Sequence, residues 1–310
     1  MGPPLLALAV LVAACVYCLV AEGTQVVSQA LITGILVGGV YALVAVGLSL
    51  IFGVLGVLNF AVGAFVTLGM YVSYGLWSNW GIPVLATLPV TVALMFAVGA
   101  LVQRVLINPS MGRPSENQLL ITLGVALVIQ NGLLLAFTAT PRSVSSSVAV
   151  FRVPVLDAVI QTDRVIAFVG AAVAALAVAM LLDRTDLGLR IRGVASNPVS
   201  AGLMGISASR IYVITFGLGT ACLGVASALV LPTSSLTPNV GEVYTIIAFV
   251  VVVLGGLGSI RGSAVCGLGV GVAQQLGGLI FPDLSSMFTV YLLFLLVIAL
   301  RPQGLFGATS

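Results

Sequence analysis

From 31 to 77 the chain carries not one acidic or basic side chain. A water-soluble domain has no means of covering so long an apolar run. In a bilayer the hydrocarbon itself is the cover, provided the backbone satisfies its own hydrogen bonds within helices. The remainder is of the same kind. Of 310 residues, 60% are hydrophobic and 6% charged, against roughly 25% charged in soluble domains. At about 20 residues per helix, ten spans would use about 200 residues and leave about 100 for connections. The expectation is an all-α integral membrane protein of about ten helices (eight to ten). It forms one transmembrane domain over 1–310, with no stretch polar enough for a second, soluble one.

The residue inventory closes several enzyme classes. All eleven basic residues are arginine, and there is no lysine; a P-loop ATPase needs its lysine on the phosphates. With no histidine, His-based triads, His-ligated metals and imidazole proton relays are excluded. No catalytic group, bound metal or cofactor of the chain's own is expected. A membrane enzyme acting on lipids would need clustered acids at an interface, and Asp183 and Asp186 are the only close pair. Cys15, Cys18, Cys222 and Cys266 lie in apolar runs. Cys15 and Cys18 form a C-x-x-C without a cationic neighbour to activate a thiol, so they read as small packing residues. Leu11 to Cys15 faintly resembles a lipoprotein cleavage box, but no basic residue precedes it and the apolar run continues to Val20. The stretch 3–20 reads as a retained first span, with cleavage the alternative.

Apolar runs place helices at about 3–20, 28–51, 57–77, 83–103, 118–137, 164–182, 211–231, 243–258, 263–281 and 286–300. The second and third are divided near Gly53-Val54-Leu55-Gly56, where two glycines and Asn59 allow a tight turn. With the N-terminus inside, the inner segments collect Arg104, Arg113, Arg184, Arg190, Arg192, Arg210, Arg261 and Arg301. The outer ones collect Arg142, Arg152 and Arg164. The positive-inside bias therefore puts both termini in the cytoplasm. An outer loop over 138–163, rich in Ser and Val, suits short strands or a plug. An inner loop covers 183–210. Trp77 and Trp80 flank a short outer turn at interfacial depth. The 36 glycines exceed the usual 7% or so, and small-x-x-x-small spacings at Gly34/Gly38 and Gly267/Gly271 suit close helix packing. The stretch 254–259 echoes 52–57, either as a duplication or as two glycine turns.

Polar groups within spans are few: Asn59, Thr122, Gln130, Asn131, Thr245, Gln274 and Gln275. Each needs a partner away from lipid. They serve either as interhelical hydrogen bonds or as the lining of a path for a polar or zwitterionic small solute. Glu242, at the outer end of a helix, either meets an incoming ligand or is a first-turn acid favoured by the helix dipole. Ion-coupled carriers usually place a charged group near mid-membrane, and none is placed there, so the driving force must come from outside the chain. The inner loop offers the contact. Asn197 caps a helix with Pro198 at its first position, and Val199, Leu203 and Ile206 form an apolar stripe. Gly205 can end it, and Arg190 and Arg192 flank it. Such a helix either lies on headgroups or docks into a groove of a soluble partner.

Gly188, Arg192, Asn197, Ala201 and Leu203-Met204-Gly205-Ile206 match the cytoplasmic coupling segment of ABC importer permeases. The resemblance is to the branched-chain amino-acid family. Gly38 to Leu43, Gly47-Leu48, Phe52-Gly53 and Asn59 to Ala64 resemble that family's N-terminal signature. Val253 to Ser259 with Gly262 resembles its C-terminal one, and Arg301 to Gly307 its ending. The family commonly has His where this chain has Val62. The resemblance implies a permease bundle with a short coupling helix that contacts its ATPase through Arg190, Arg192, Asn197, Ala201, Leu203, Met204, Gly205 and Ile206. It further implies an inner-membrane ATP-driven importer for branched-chain or other small amino acids. ATP would be used only by partner subunits. The partners implied are a second similar permease, two cytoplasmic ATPases and an extracytoplasmic solute-binding protein, with no nucleic acid. Relatives handle urea and short amides, and a stand-alone carrier or facilitator is the rival from outside the family.

Overall fold

A computed structural model describes residues 24–112, 114–144, 150–153, 158–281, 285–300 and 304–306. The expected span 3–20, with Cys15 and Cys18, lies outside them, as do Arg113, Ser145 to Ser147 and Arg301 to Gln303. The helices run α1 Thr24–Leu55, α2 Val62–Trp80, α3 Leu88–Val102, α4 Ser115–Phe137, α5 Thr162–Arg184, α6 Asp186–Ser196, α7 Pro198–Leu203, α8 Ala208–Val230, α9 Gly241–Gly255, α10 Ile260–Ile280 and α11 Ser286–Leu300. A π-helical turn, Gln103–Ile107, prolongs α3. Short strands β1, Val150–Val153, and β2, Ala158–Gln161, pair antiparallel with Val150 opposite Gln161.

The expectation of about ten spans is not confirmed. Among the described residues six helices are long and apolar enough to cross a membrane, and α9 and α11 are shorter apolar helices. The helix expected over 57–77 is displaced to Val62–Trp80 and is not among the six. Its first five positions became a loop and turn, because Gly56 takes φ +67° and Asn59 folds back on the backbone. At the other end α2 runs past Trp77 to Trp80, and the turn begins at Gly81 with φ +66°. The tryptophans therefore sit on the helix end.

An apolar membrane helix has no polar face to tell it which side turns inward, so packing must come from shape. The centre is α1, buried along every residue from Gly38 to Ile51. Gly34 and Gly38 present bare backbone to α10 at Val272 and Leu268, and Gly271 and Gly267 do the same toward Gly38 and Ala42. A Cβ at Gly34 would lie 2.7 Å from the Val272 Cα, so the seam admits no side chain. The small-residue spacing expected from the sequence is a packing device here. Helix α8 closes the other side of α1, with Phe216 against Phe65 of α2 and the Thr220 hydroxyl donating to the Met95 carbonyl of α3 at 3.0 Å. Helices α4 and α5 pack at the periphery and keep broad apolar surfaces: Leu120, Val128 and Leu135 on one, Val173, Leu176 and Met180 on the other.

The expected outer loop does contain strands. It is tied down by a bridge from Arg142 to Leu236, while the Arg142 guanidinium lies over the Tyr74 and Phe137 rings at 5.4 and 5.3 Å.

Candidate functional site

Two regions on opposite ends of α9 gather the residues singled out from the sequence. The first lies where α2 and α9 begin. Between Leu55 and Val62 the chain is not helical, and at its end and in the first turn of α2 three N–H groups are met by side chains. The Asn59 carboxamide oxygen accepts from Ala61 N at 3.0 Å, the Thr122 hydroxyl from Phe60 N at 3.2 Å, and the Thr245 hydroxyl from Gly63 N at 2.9 Å. This is how irregular backbone is tolerated inside a membrane bundle. Helices α2 and α9 are antiparallel and meet over their first turns, with Gly63 against Gly241 and Thr245, Gly241 also against Thr67, and Phe60 stacked on Phe249 at 4.7 Å. Glycine at 63 and 241 is required by that approach, since a Cβ on either would strike the other's carbonyl. The positive ends of two helix dipoles thus converge.

Beside this joint is a cavity of about 320 Å³. Leu123, Ala126, Leu127 and Gln130 form one wall, at helical spacing along α4. Phe60, Ala64 and Thr67 form the second, and Pro238, Gly241, Glu242, Thr245 and Ile246 the third. It is an apolar chamber with one polar corner. There Gln130 Nε2 donates to Glu242 Oε1 at 2.7 Å and to Asn239 Oδ1 at 2.9 Å.

The polar residues picked out as path lining are only partly brought together. Gln130 and Thr245 line this cavity. Asn59 is fully buried beside it and holds the turn, its Nδ2 unpartnered. Asn131 donates to Leu127 O of its own helix at 2.8 Å, and so serves α4 alone. Gln274 is buried on α10, with Nε2 3.9 Å from Met287 Sδ of α11, and Gln275 is half-buried on the same helix. Neither glutamine borders the cavity. Val62 is fully buried in the core. Asn239 was not singled out from the sequence. Its signal was available only as a Pro-Asn turn preceding Gly241.

The second region is the 183–210 connection. Pro198–Leu203 is a helix, and Asn197 caps it: its Oδ1 accepts from Val199 N and Ser200 N, both at 3.0 Å. Gly205, at φ +78°, ends the motif. Val199, Leu203 and Met204 are 74, 86 and 82% exposed, while Ala201 is buried. Ile206 lies beyond the helix and turns back onto the cluster of Leu50, Ile191 and Ile211, so it leaves the stripe expected of it. A further helix, α6, was missed. Its signals were Thr185, whose hydroxyl accepts from Gly188 N at 3.1 Å, and Leu187, Ile191 and Val194 at helical spacing.

Arg190 is exposed on α6. Arg192 turns inward, donating to the Leu182 carbonyl and to Asp183 Oδ1, the latter at 3.3 Å. The other Asp183 oxygen meets Arg261, at the start of α10, at 3.3 Å. Both arginines and Asp183 border a cavity of about 370 Å³, with Gly53, Gly258 and Ser259. The two echoing glycine stretches meet here, Gly53 against Gly258. The Leu305 N–H donates to Leu254 O at 2.7 Å, so residues 304–306 dock on the same corner.

Residues 30–299 match the sequence model of the family described as branched-chain amino acid transport system / permease component. The chain is 28% identical over 292 residues to the high-affinity branched-chain amino acid transport system permease protein BraD of Pseudomonas aeruginosa, covering 90% of this chain and 95% of that protein. It is 27% identical over 293 residues to the corresponding protein LivH of Escherichia coli K12, with the same coverages. It is 29% identical over 251 residues to a probable branched-chain amino acid transport permease protein of Methanocaldococcus jannaschii, covering 78% of each. The backbone superposes on a chain of PsaBC from Streptococcus pneumoniae in complex with Fab. The TM-score is 0.51 at 14% identity, over 94% of this chain and 97% of that one; this likeness is one of fold.

Proposed function

This chain belongs to the family of branched-chain amino acid transport permease components, and from that premise we propose that it is the transmembrane subunit of an ATP-driven importer carrying branched-chain or other small amino acids across a bacterial inner membrane. It is a multi-pass membrane protein. The observation that carries the ATP-driven reading is the α7 segment. A membrane protein that leaves Val199, Leu203 and Met204 exposed on a capped, connecting helix presents an apolar tooth to a partner. A groove on an ATPase subunit is the fitting occupant. The arginine-rich end that carries it then faces the cytoplasm, with both termini.

A second, similar permease would cover the open wall of the α4–α9 cavity, and a solute-binding protein would deliver from the opposite face. Closure of the ATPase dimer would move α6 and α7, and the two permeases would shift about the central path.

The test is reconstitution. Permease pair, ATPases and binding protein in liposomes are expected to accumulate leucine only with ATP inside or around the ATPase face. Leu203→Asp is expected to release the ATPases while the permease still inserts. Flux through the permease alone would replace this reading with a stand-alone facilitator, and uptake of urea or short amides in place of leucine would replace the substrate.

A further inference from the structure

Resting on that reading, we infer that the α4–α9 cavity is the transit site for the solute and that Glu242, with Gln130, receives its ammonium group. Among the described residues, Asp183 and Glu242 each border a cavity, and they differ in one respect. Asp183 is met by two guanidinium groups. Glu242 forms no ion pair among the described residues, and its partner there is the neutral amide of Gln130. A carboxylate at the rim of a membrane cavity, without a cation, is favoured by the first turn of its helix but still lacks a counter-charge.

The hydrogen bonds fix what kind of group can supply it. A carboxylate only accepts, so the Gln130 atom facing it must be Nε2, and Nε2 spends its hydrogens on Glu242 and Asn239. Of the side chains at this corner that line the cavity, Glu242 Oε2 and Gln130 Oε1 remain, both acceptors, while Asn239, whose amide nitrogen is a donor, is not among the lining residues. A head group with several donors and no acceptor fits; an ammonium has three donors. A second carboxylate does not fit. The opposite walls, formed by Phe60, Leu123, Leu127 and Ile246, are apolar, and the volume of about 320 Å³ lies at the small end of ligand sites, which run from about 300 to 1,000 Å³. The chamber therefore takes a small molecule with a cationic end and an aliphatic body.

The experiment uses the whole transporter in proteoliposomes and reads leucine imported per ATP hydrolysed. Glu242→Gln removes the charge and keeps the shape. It is expected to lower leucine import about tenfold or more, the loss of one charge-assisted contact, while ATP hydrolysis stimulated by the loaded binding protein persists. Glu242→Asp is expected to recover part of the import. Import by Glu242→Gln equal to the parent would overturn the inference, as would equal loss in Gln and Asp variants together with loss of ATPase from the purified complex. Failure of the parent complex to import leucine with ATP would instead remove the function proposed above, so the two failures are told apart.

Discussion

Thr245 and Gly63 show how much of this site depends on single polar atoms. Removing the hydroxyl strands a backbone donor in the joint between α2 and α9, which costs about 1–3 kcal/mol. Thr245→Val is expected to lower the thermal midpoint of the detergent-solubilised protein, and Thr245→Ser, which keeps the acceptor, to leave it nearly unchanged. The Asp183 cluster behaves differently. Arg192 and Asp183 are half exposed and Arg261 is 91% exposed, so each pair contributes about 1 kcal/mol or less. Asp183→Asn should therefore shift the midpoint little. On the proposed function it should raise ATP hydrolysed per solute imported, because it unties α6 from the start of α10. An unchanged ratio would leave the cluster without a role in coupling.

At the scale of elements, the α1–α10 seam is the most demanding. Gly38 and Gly271 sit backbone to backbone, and no rotamer can relieve a side chain placed there. Gly271→Leu is expected to remove the protein from the membrane fraction altogether, a loss well beyond the 0.5–3 kcal/mol of ordinary substitutions. Helix α7 is the contrasting case, since its outward residues carry nothing internally. Leu203→Asp should leave the midpoint unchanged while abolishing co-purification of the ATPases. Asn197→Ala should cost about 1 kcal/mol of local helix stability, visible as faster amide exchange across 198–203.

The whole molecule joins these regions through α9, which begins at the cavity with Glu242 and ends at Gly255, where the Leu254 carbonyl accepts from the Leu305 N–H. The class of the molecule was readable from charge alone, because no soluble fold can hide such runs. The α7 helix was readable because its cap, proline and glycine are local chemistry: Asn197 needs only Val199 and Ser200. The same local chemistry marks α6, where Thr185 caps and Leu187, Ile191 and Val194 fall at helical spacing. Helix facing was not readable, for the long helices are apolar on every side and periodicity carries no information there. Asn131 and Gln130 are neighbours in sequence, yet one bonds its own helix while the other reaches Glu242, 112 positions away.

What the sequence determined by itself is what depends on composition and on neighbours within a turn: a bilayer as solvent, the helical runs, the capped α7 helix, and the family signatures. What tertiary structure decided is which few polar atoms share a space. That choice was made by glycines interlocking at Gly34, Gly38, Gly267 and Gly271 and at Gly63 and Gly241, where contact between backbones, and no preference of any side chain, sets how the helices turn toward one another.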